Sequence, residues 1–274
     1  MRPFLLCSYD LQGIVRIRGG SMAGCVFCGA PANSREHVIP QWISSNTLKA
    51  VPGIDQTSIV LGADGVPLRT VSQKFGDITV KCVCTTCNSG WMNNLEESVR
   101  PFLLPLVLGT DEFVVILDKQ QQADLAAWVM KTVMMFSFTL PKEFHSAIPA
   151  ADYAYLYHYR RLSTRRMTAR AFHLPVPGHG MAGEVLFEAK VSKSVNPRGF
   201  IGFLRLGHFG VQVYSMRLPG DTRLCEFAEF PNVKPLWPPA ARWVWPPEQA
   251  CDEAMLKALT DDGTAFPIGT RKKR

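Results

Sequence analysis

No apolar run in the sequence reaches the ~18–20 uninterrupted residues that a membrane-crossing helix requires. The nearest approach is ADLAAWVMKTVMMFSFTL, and Lys131 stands at its centre, which favours a buried core helix over a membrane span. The N-terminal apolar run, residues 4–7, is too short for the hydrophobic stretch of a secretory leader, so none is expected. Cysteine is too sparse for a disulfide scaffold, with eight in 274 residues, and its CxxC pairs read as metal ligands in a reducing compartment. A cytoplasmic protein is expected. Charged residues are few, at 19%, but the 47% hydrophobic content excludes a disordered chain. Acidic residues are in deficit, leaving a net charge of +7. That balance favours an anionic partner, nucleic acid before membrane, although a modest positive charge also serves solubility alone. No internal repeat stands out beyond the two cysteine pairs.

What the sequence does contain is concentrated between residues 25 and 97. Cys25 and Cys28 open CVFCGAPANSREHVIPQW, and Cys84 and Cys87 open CTTCNSGWMNNLEE. Two CxxC turns supply the four thiolates of a closed tetrahedral zinc site. A long insertion separates the pairs, and Cys82 in KCVCTTC is a rival ligand, with Cys84 preferred because it completes the second CxxC. Between the pairs lies Glu36-His37. A neutral imidazole can take a proton from water near neutral pH, as phosphodiester hydrolysis requires. A carboxylate beside it suits a hard divalent cation. Asn88 follows Cys87 directly, so a zinc knuckle would fix its position. Its amide oxygen suits the same cation, and its place at a helix start equally suits a helix cap. Arg35 is a candidate phosphate contact or a solvated surface charge.

These motifs together resemble the HNH endonucleases, the ββα-metal (His-Me finger) nuclease fold, in their zinc-stabilised form. The resemblance covers about residues 22–100. It implies that His37 is the general base and that Glu36 and Asn88 hold a catalytic cation, Mg2+ or Mn2+. Cys25, Cys28, Cys84 and Cys87 would hold a structural Zn2+ behind the site. The implied activity is hydrolysis of phosphodiester bonds in DNA, in a phage, mobile-element or defence setting. The chain departs from the pattern in two places. The middle Asn of the family name has no counterpart, since the corresponding region offers Thr79 and Asp77. The further His found in many members falls at Met92, with Asn93 and Glu96 nearby. Two alternatives therefore stand beside the DNA nuclease: a catalytically inactive, zinc-stapled nucleic-acid-binding module, and an RNA nuclease.

The rest of the chain organises around that module. The expected class is α+β, a small zinc-stapled ββα module over residues 22–110 followed by a larger α+β domain over residues 111–274. Residues 1–21 read as an upstream extension, with Met22 the natural start of the module; a strand over residues 13–18 is the competing reading. Turns and short strands are expected between Trp42 and Lys81, with a strand through Ile78, Val80 and Val83. Trp91, Leu95 and Val99 lie on one helical face, and Pro101 and Pro105 should end that helix. Beyond it come a strand at residues 113–117 and a long helix over residues 120–138. Further β-like runs span residues 185–191, 200–206 and 210–216. Residues 237–247 (WPPAARWVWPP) read as an extended surface or edge segment, residues 248–259 as a closing helix. The Arg-rich stretch at residues 160–170 and the RKKR tail could follow phosphates.

Overall fold

The computed structural model describes residues 24–47, 55–61, 67–109, 114–139, 145, 148–189, 195–216, 232–252 and 255. The expected upstream extension, the start at Met22, the strand over residues 13–18 and the RKKR tail lie outside the described residues. In chain order the elements begin with β1 (Ser34–His37), α1 (Gln41–Thr47), β2 (Asp55–Leu61), β3 (Pro67–Lys74) and β4 (Thr79–Val83). A short helical turn, α2 (Thr85–Cys87), runs through a π-type turn at Asn88–Met92 into α3 (Asn93–Leu108). Then come β5 (Val115–Leu117), α4 (Lys119–Ser137), α5 (Ala150–Tyr159), β6 (Met167–Ala189), β7 (Val195–Met216), β8 (Val233–Trp237) and β9 (Trp243–Trp245). Every strand pairing among the described residues is antiparallel, and helices pack against the sheets, so the chain is α+β.

β1 and β4 form a two-stranded sheet with Glu36 opposite Val80 and His37 opposite Thr79. The β2–β3 hairpin is the long insertion between them. β1, β4 and the helix that follows thus make a strand–strand–helix unit whose two strands are distant in sequence. The antiparallel β6–β7 hairpin is the largest sheet and takes β8 on its other edge. Gly202 on β7 lets that hairpin approach α4, because a Cβ there would sit 2.4 Å from Val133 Cγ1.

Three elements depart from expectation. Residues 41–47 form a helix, α1, where turns and short strands were expected; Pro40 precedes its first residue, and Ile43 is fully buried. Helix α3 runs through Pro101 and Pro105 to Leu108. A proline inside a helix costs about 3 kcal/mol. Burial of Val99, Phe102, Leu103, Leu106 and Val107, each contributing about 1.5–3 kcal/mol, outweighs two of them. The Trp-Pro segment lies at sheet edges as expected, with Pro238, Ala241, Arg242 and Pro246 exposed, but its tryptophans turn inward. Trp243 and Trp245 are 1% and 2% exposed, stack on each other and pair through β9 with β5. Residues 248–252 are not helical, and most of the expected closing helix lies outside the described residues.

The long helix is α4 as expected. Asp118 caps it: its side chain accepts from Gln121 N at 2.8 Å, while Asp118 N donates to Gln121 Oε1 at 3.0 Å. Its buried residues include Leu125, Trp128, Thr132 and Met135. No described helix is long and apolar enough to cross a membrane. One cluster of buried side chains runs from Cys25 and Phe27 through α3 and α4 to Trp245.

Candidate metal centre and catalytic site

The first cysteine pair is built by a tight turn against β4. Cys25 N donates to Ala30 O, and Gly29 N donates to Cys25 O at 2.8 Å. Gly29 has φ +79°, a left-handed conformation that only glycine adopts without strain. Val26 N donates to Cys82 O at 3.0 Å, which fastens the turn to the neighbouring strand.

The second pair opens the helix. Cys84 is the N-cap of α2, and its sulfur accepts from Cys87 N at 3.4 Å. Asn33 Oδ1 accepts from Thr85 N at 2.9 Å and from Thr85 Oγ1 at 3.1 Å, tying the helix start back to the segment before β1. The result brings Cys25, Cys28, Cys84 and Cys87 together, with all four sulfurs within 4.8 Å of one another and Cys28 Sγ 3.5 Å from Cys84 Sγ. Zn–S bonds of about 2.3 Å in a tetrahedron place sulfurs about 3.8 Å apart, so the four fit zinc in both chemistry and spacing. Burial pushes the Cys25 thiol up, but backbone hydrogen bonds at Cys28, Cys84 and Phe27 outweigh it and bring it down to about 7. Cys87 is pushed up by burial, with only partial relief; a bound cation is what would favour its thiolate.

Cys82, the rival ligand, is a core thiol. It donates to Met135 Sδ at 3.7 Å, and burial pushes it up to about 12. It is not among the four clustered sulfurs.

The strand alternation of β1 separates Glu36 from His37. His37 is half-buried, and its Nε2 lies 3.2 Å from Gln41 Nε2 on α1. Glu36 points inward. Its Oε1 accepts from Lys131 Nζ at 3.1 Å, and Glu96 Oε1 accepts from the same ammonium at 2.6 Å. The three side chains are 7%, 0% and 17% exposed for Glu36, Lys131 and Glu96. β1, α3 and α4 therefore meet at one buried ion triad. Two carboxylates share one ammonium. Burial raises the Glu36 carboxyl above its ordinary value against the pull of Lys131, and repulsion from Glu96 adds to the rise. Burial alone would lower Lys131, but the two carboxylates more than compensate and hold it charged.

Asn88 is not an N-cap, since Cys84 fills that role; it closes the short α2 as its C-cap. It has helical φ/ψ (−62°, −59°) and is the first residue of the π-type turn. Its Nδ2 donates to Ser34 Oγ at 2.8 Å and to Arg35 O at 3.2 Å. The helix start is thus latched to the strand that carries Glu36 and His37. Gly90 leaves helical geometry (φ −96°, ψ −110°) inside the turn, an irregularity of a kind frequent at functional sites. The Arg35 side chain is exposed on β1.

The structure therefore gathers the four cysteines, gathers Asn88 with the start of β1, and engages Glu36 with Lys131 and Glu96. Lys131 is the residue that sequence reasoning passed over. A lone lysine at the centre of an otherwise apolar helix was the available signal, because a buried ammonium requires a carboxylate partner. Comparison of the chain with family models, with curated proteins and with solved structures returned no match.

Proposed function

We propose that the protein is an HNH-type, metal-dependent endonuclease that hydrolyses phosphodiester bonds in DNA, working in the reducing cytoplasm where thiolates can hold zinc. The observation that carries the reading is the latch between Asn88 and β1. A helix start that carries two of the four clustered cysteines is hydrogen-bonded to the strand that presents His37, which supports the reading.

In this reading His37 takes the proton of the attacking water, with Gln41 orienting its ring. Glu36 and Asn88 are the residues that would hold the catalytic cation. Asn88 Oδ1 fits, because the hydrogen bonds of that side chain are made through Nδ2. Glu36 has only the carboxylate oxygen not bonded to Lys131 to offer. A bound Mg2+ or Mn2+ would supply charge stabilisation at the phosphate and the leaving oxygen. The four thiolates serve structure: they hold the first turn, β4 and the helix start in register.

A second reading has its own observation. The hold of Lys131 on Glu36 favours a zinc-stapled nucleic-acid-binding module without catalysis. Incubation of supercoiled plasmid with the protein and Mg2+ or Mn2+ separates the two. The nuclease reading expects nicking by wild type and a loss of about 10²–10⁴-fold in His37→Ala. Equal, background-level nicking by both would leave the binding module. An RNA substrate run in parallel tests the remaining alternative.

A further inference from the structure

Of the basic stretch at residues 160–170, the structure takes several arginines out of use as phosphate contacts. Arg170 is 1% exposed and donates to Gln212 Oε1 and to the Tyr214 hydroxyl. Arg166 pairs with buried Asp152 at 2.9 Å. Arg160, in a left-handed conformation at the C-terminus of α5, packs against two rings, its Cζ 4.5 Å from the Trp91 centroid and 4.7 Å from that of Tyr157. Arg161 and Arg165 are exposed, and no ion pair joins either to a described carboxylate.

The Arg160 stack anchors the start of the turn that carries those two charges. Trp91 belongs to the turn that begins at Asn88, and its ring meets Phe27 of the first cysteine turn edge-on at 4.8 Å. A continuous row, Phe27–Trp91–Arg160–Tyr157, therefore joins the cysteine centre to the end of α5. One residue before Arg160, Tyr159 is 57% exposed and its ring leans on that of Tyr155, centroids 4.5 Å apart. Exposed arginines beside an exposed, propped aromatic ring are the chemistry of strand binding: guanidinium groups for phosphates and a ring face for an unpaired base.

We propose that the C-terminal end of α5 and the turn after it form a nucleic-acid contact surface, with Arg161 and Arg165 on backbone phosphates and Tyr159 stacked on a base. Arg160 is the strut that holds this surface against the cysteine centre. The choice of DNA as partner rests on the nuclease reading; the surface itself rests on the geometry above. A strand lying across it would be held beside the helix start that carries Asn88.

The test is fluorescence anisotropy of the full chain with a labelled single-stranded DNA and with its duplex, over a range of salt. Each phosphate contact contributes about 0.7 to the slope of log Kd against log salt for a single strand. The double variant Arg161→Gln/Arg165→Gln should bind about tenfold more weakly at low salt, with the slope smaller by about 1.4. Tyr159→Ala should lose about tenfold on the single strand and keep its affinity for the duplex. Retained zinc in each variant shows that the fold is intact. Unchanged affinity and slope in the double variant overturn the surface, as does a wild type that binds neither DNA. Plasmid nicking by wild type, read alongside, separates the two readings. Nicking with unaltered binding in the variants removes only the surface. Weakened binding in the variants without nicking by wild type removes only the catalysis.

Discussion

Lys131 decides more at this site than any other single residue. Its ammonium is wholly buried between Glu36 and Glu96, and removing it strands two carboxylates in the core. Lys131→Met should cost about 3–5 kcal/mol, read as a lowered urea midpoint. Adding Glu36→Gln and Glu96→Gln to it should recover most of that loss, since the uncompensated charge is then gone. The pH dependence has a definite sign. The folded-state value of Lys131 lies above its ordinary one, so its contribution is fully present below the unfolded lysine value of about 10.4. It is lost as pH rises through the higher folded value. Wild type should lose stability relative to the triple variant as pH rises above about 10.4, not below it. At this scale the sequence announced the cysteines through their spacing, and His37 and Asn88 through their neighbours. It could not announce the triad, whose members come from three elements far apart in the chain and meet only when α3 and α4 pack.

Among the elements, the two cysteine turns are the parts whose local chemistry was readable. CxxC followed by Gly29 dictates a tight turn with a left-handed residue, and Gly29→Ala should cost about 1–2 kcal/mol for that reason. Zinc analysis distinguishes the rival thiols: Cys82→Ala should retain one equivalent of metal, whereas Cys84→Ala should lose it. Retention of full zinc by Cys84→Ala would remove the four-sulfur assignment. Helix α3 shows where a local rule loses to packing. Proline propensity argued for a helix end at Pro101, and burial of Phe102, Leu103 and Leu106 overrides it. That outcome is not visible without the neighbours that cover the face. The prolines did place the Trp-Pro segment at a sheet edge, though not the inward turn of Trp243 and Trp245. Helix α4 was legible because its period and its Asp118–Gln121 cap agree.

For the molecule as a whole, the α+β class and the gathering of four cysteines followed from pattern, and the strand–strand–helix unit was what the resemblance implied. The way the C-terminal half supports that unit did not. Lys131 reaches the strand of His37 from α4, and Arg160 braces the Trp91 turn from α5. The proposed catalytic residues are thus held from behind by elements that themselves carry no recognisable motif. Long-range packing of this kind leaves no periodic trace in sequence, apart from a charge placed where an apolar residue is expected.

In the proposed function His37 abstracts the proton of the attacking water. Chemical rescue measures this most directly: nicking of supercoiled plasmid by His37→Gly is followed with and without added imidazole, at fixed pH and saturating Mn2+. Wild type should nick, His37→Gly should do so at least about 100-fold more slowly, and imidazole should restore a rate that rises with its concentration. A variant that nicks as fast as wild type without imidazole, or a wild type that does not nick at all, would contradict that role.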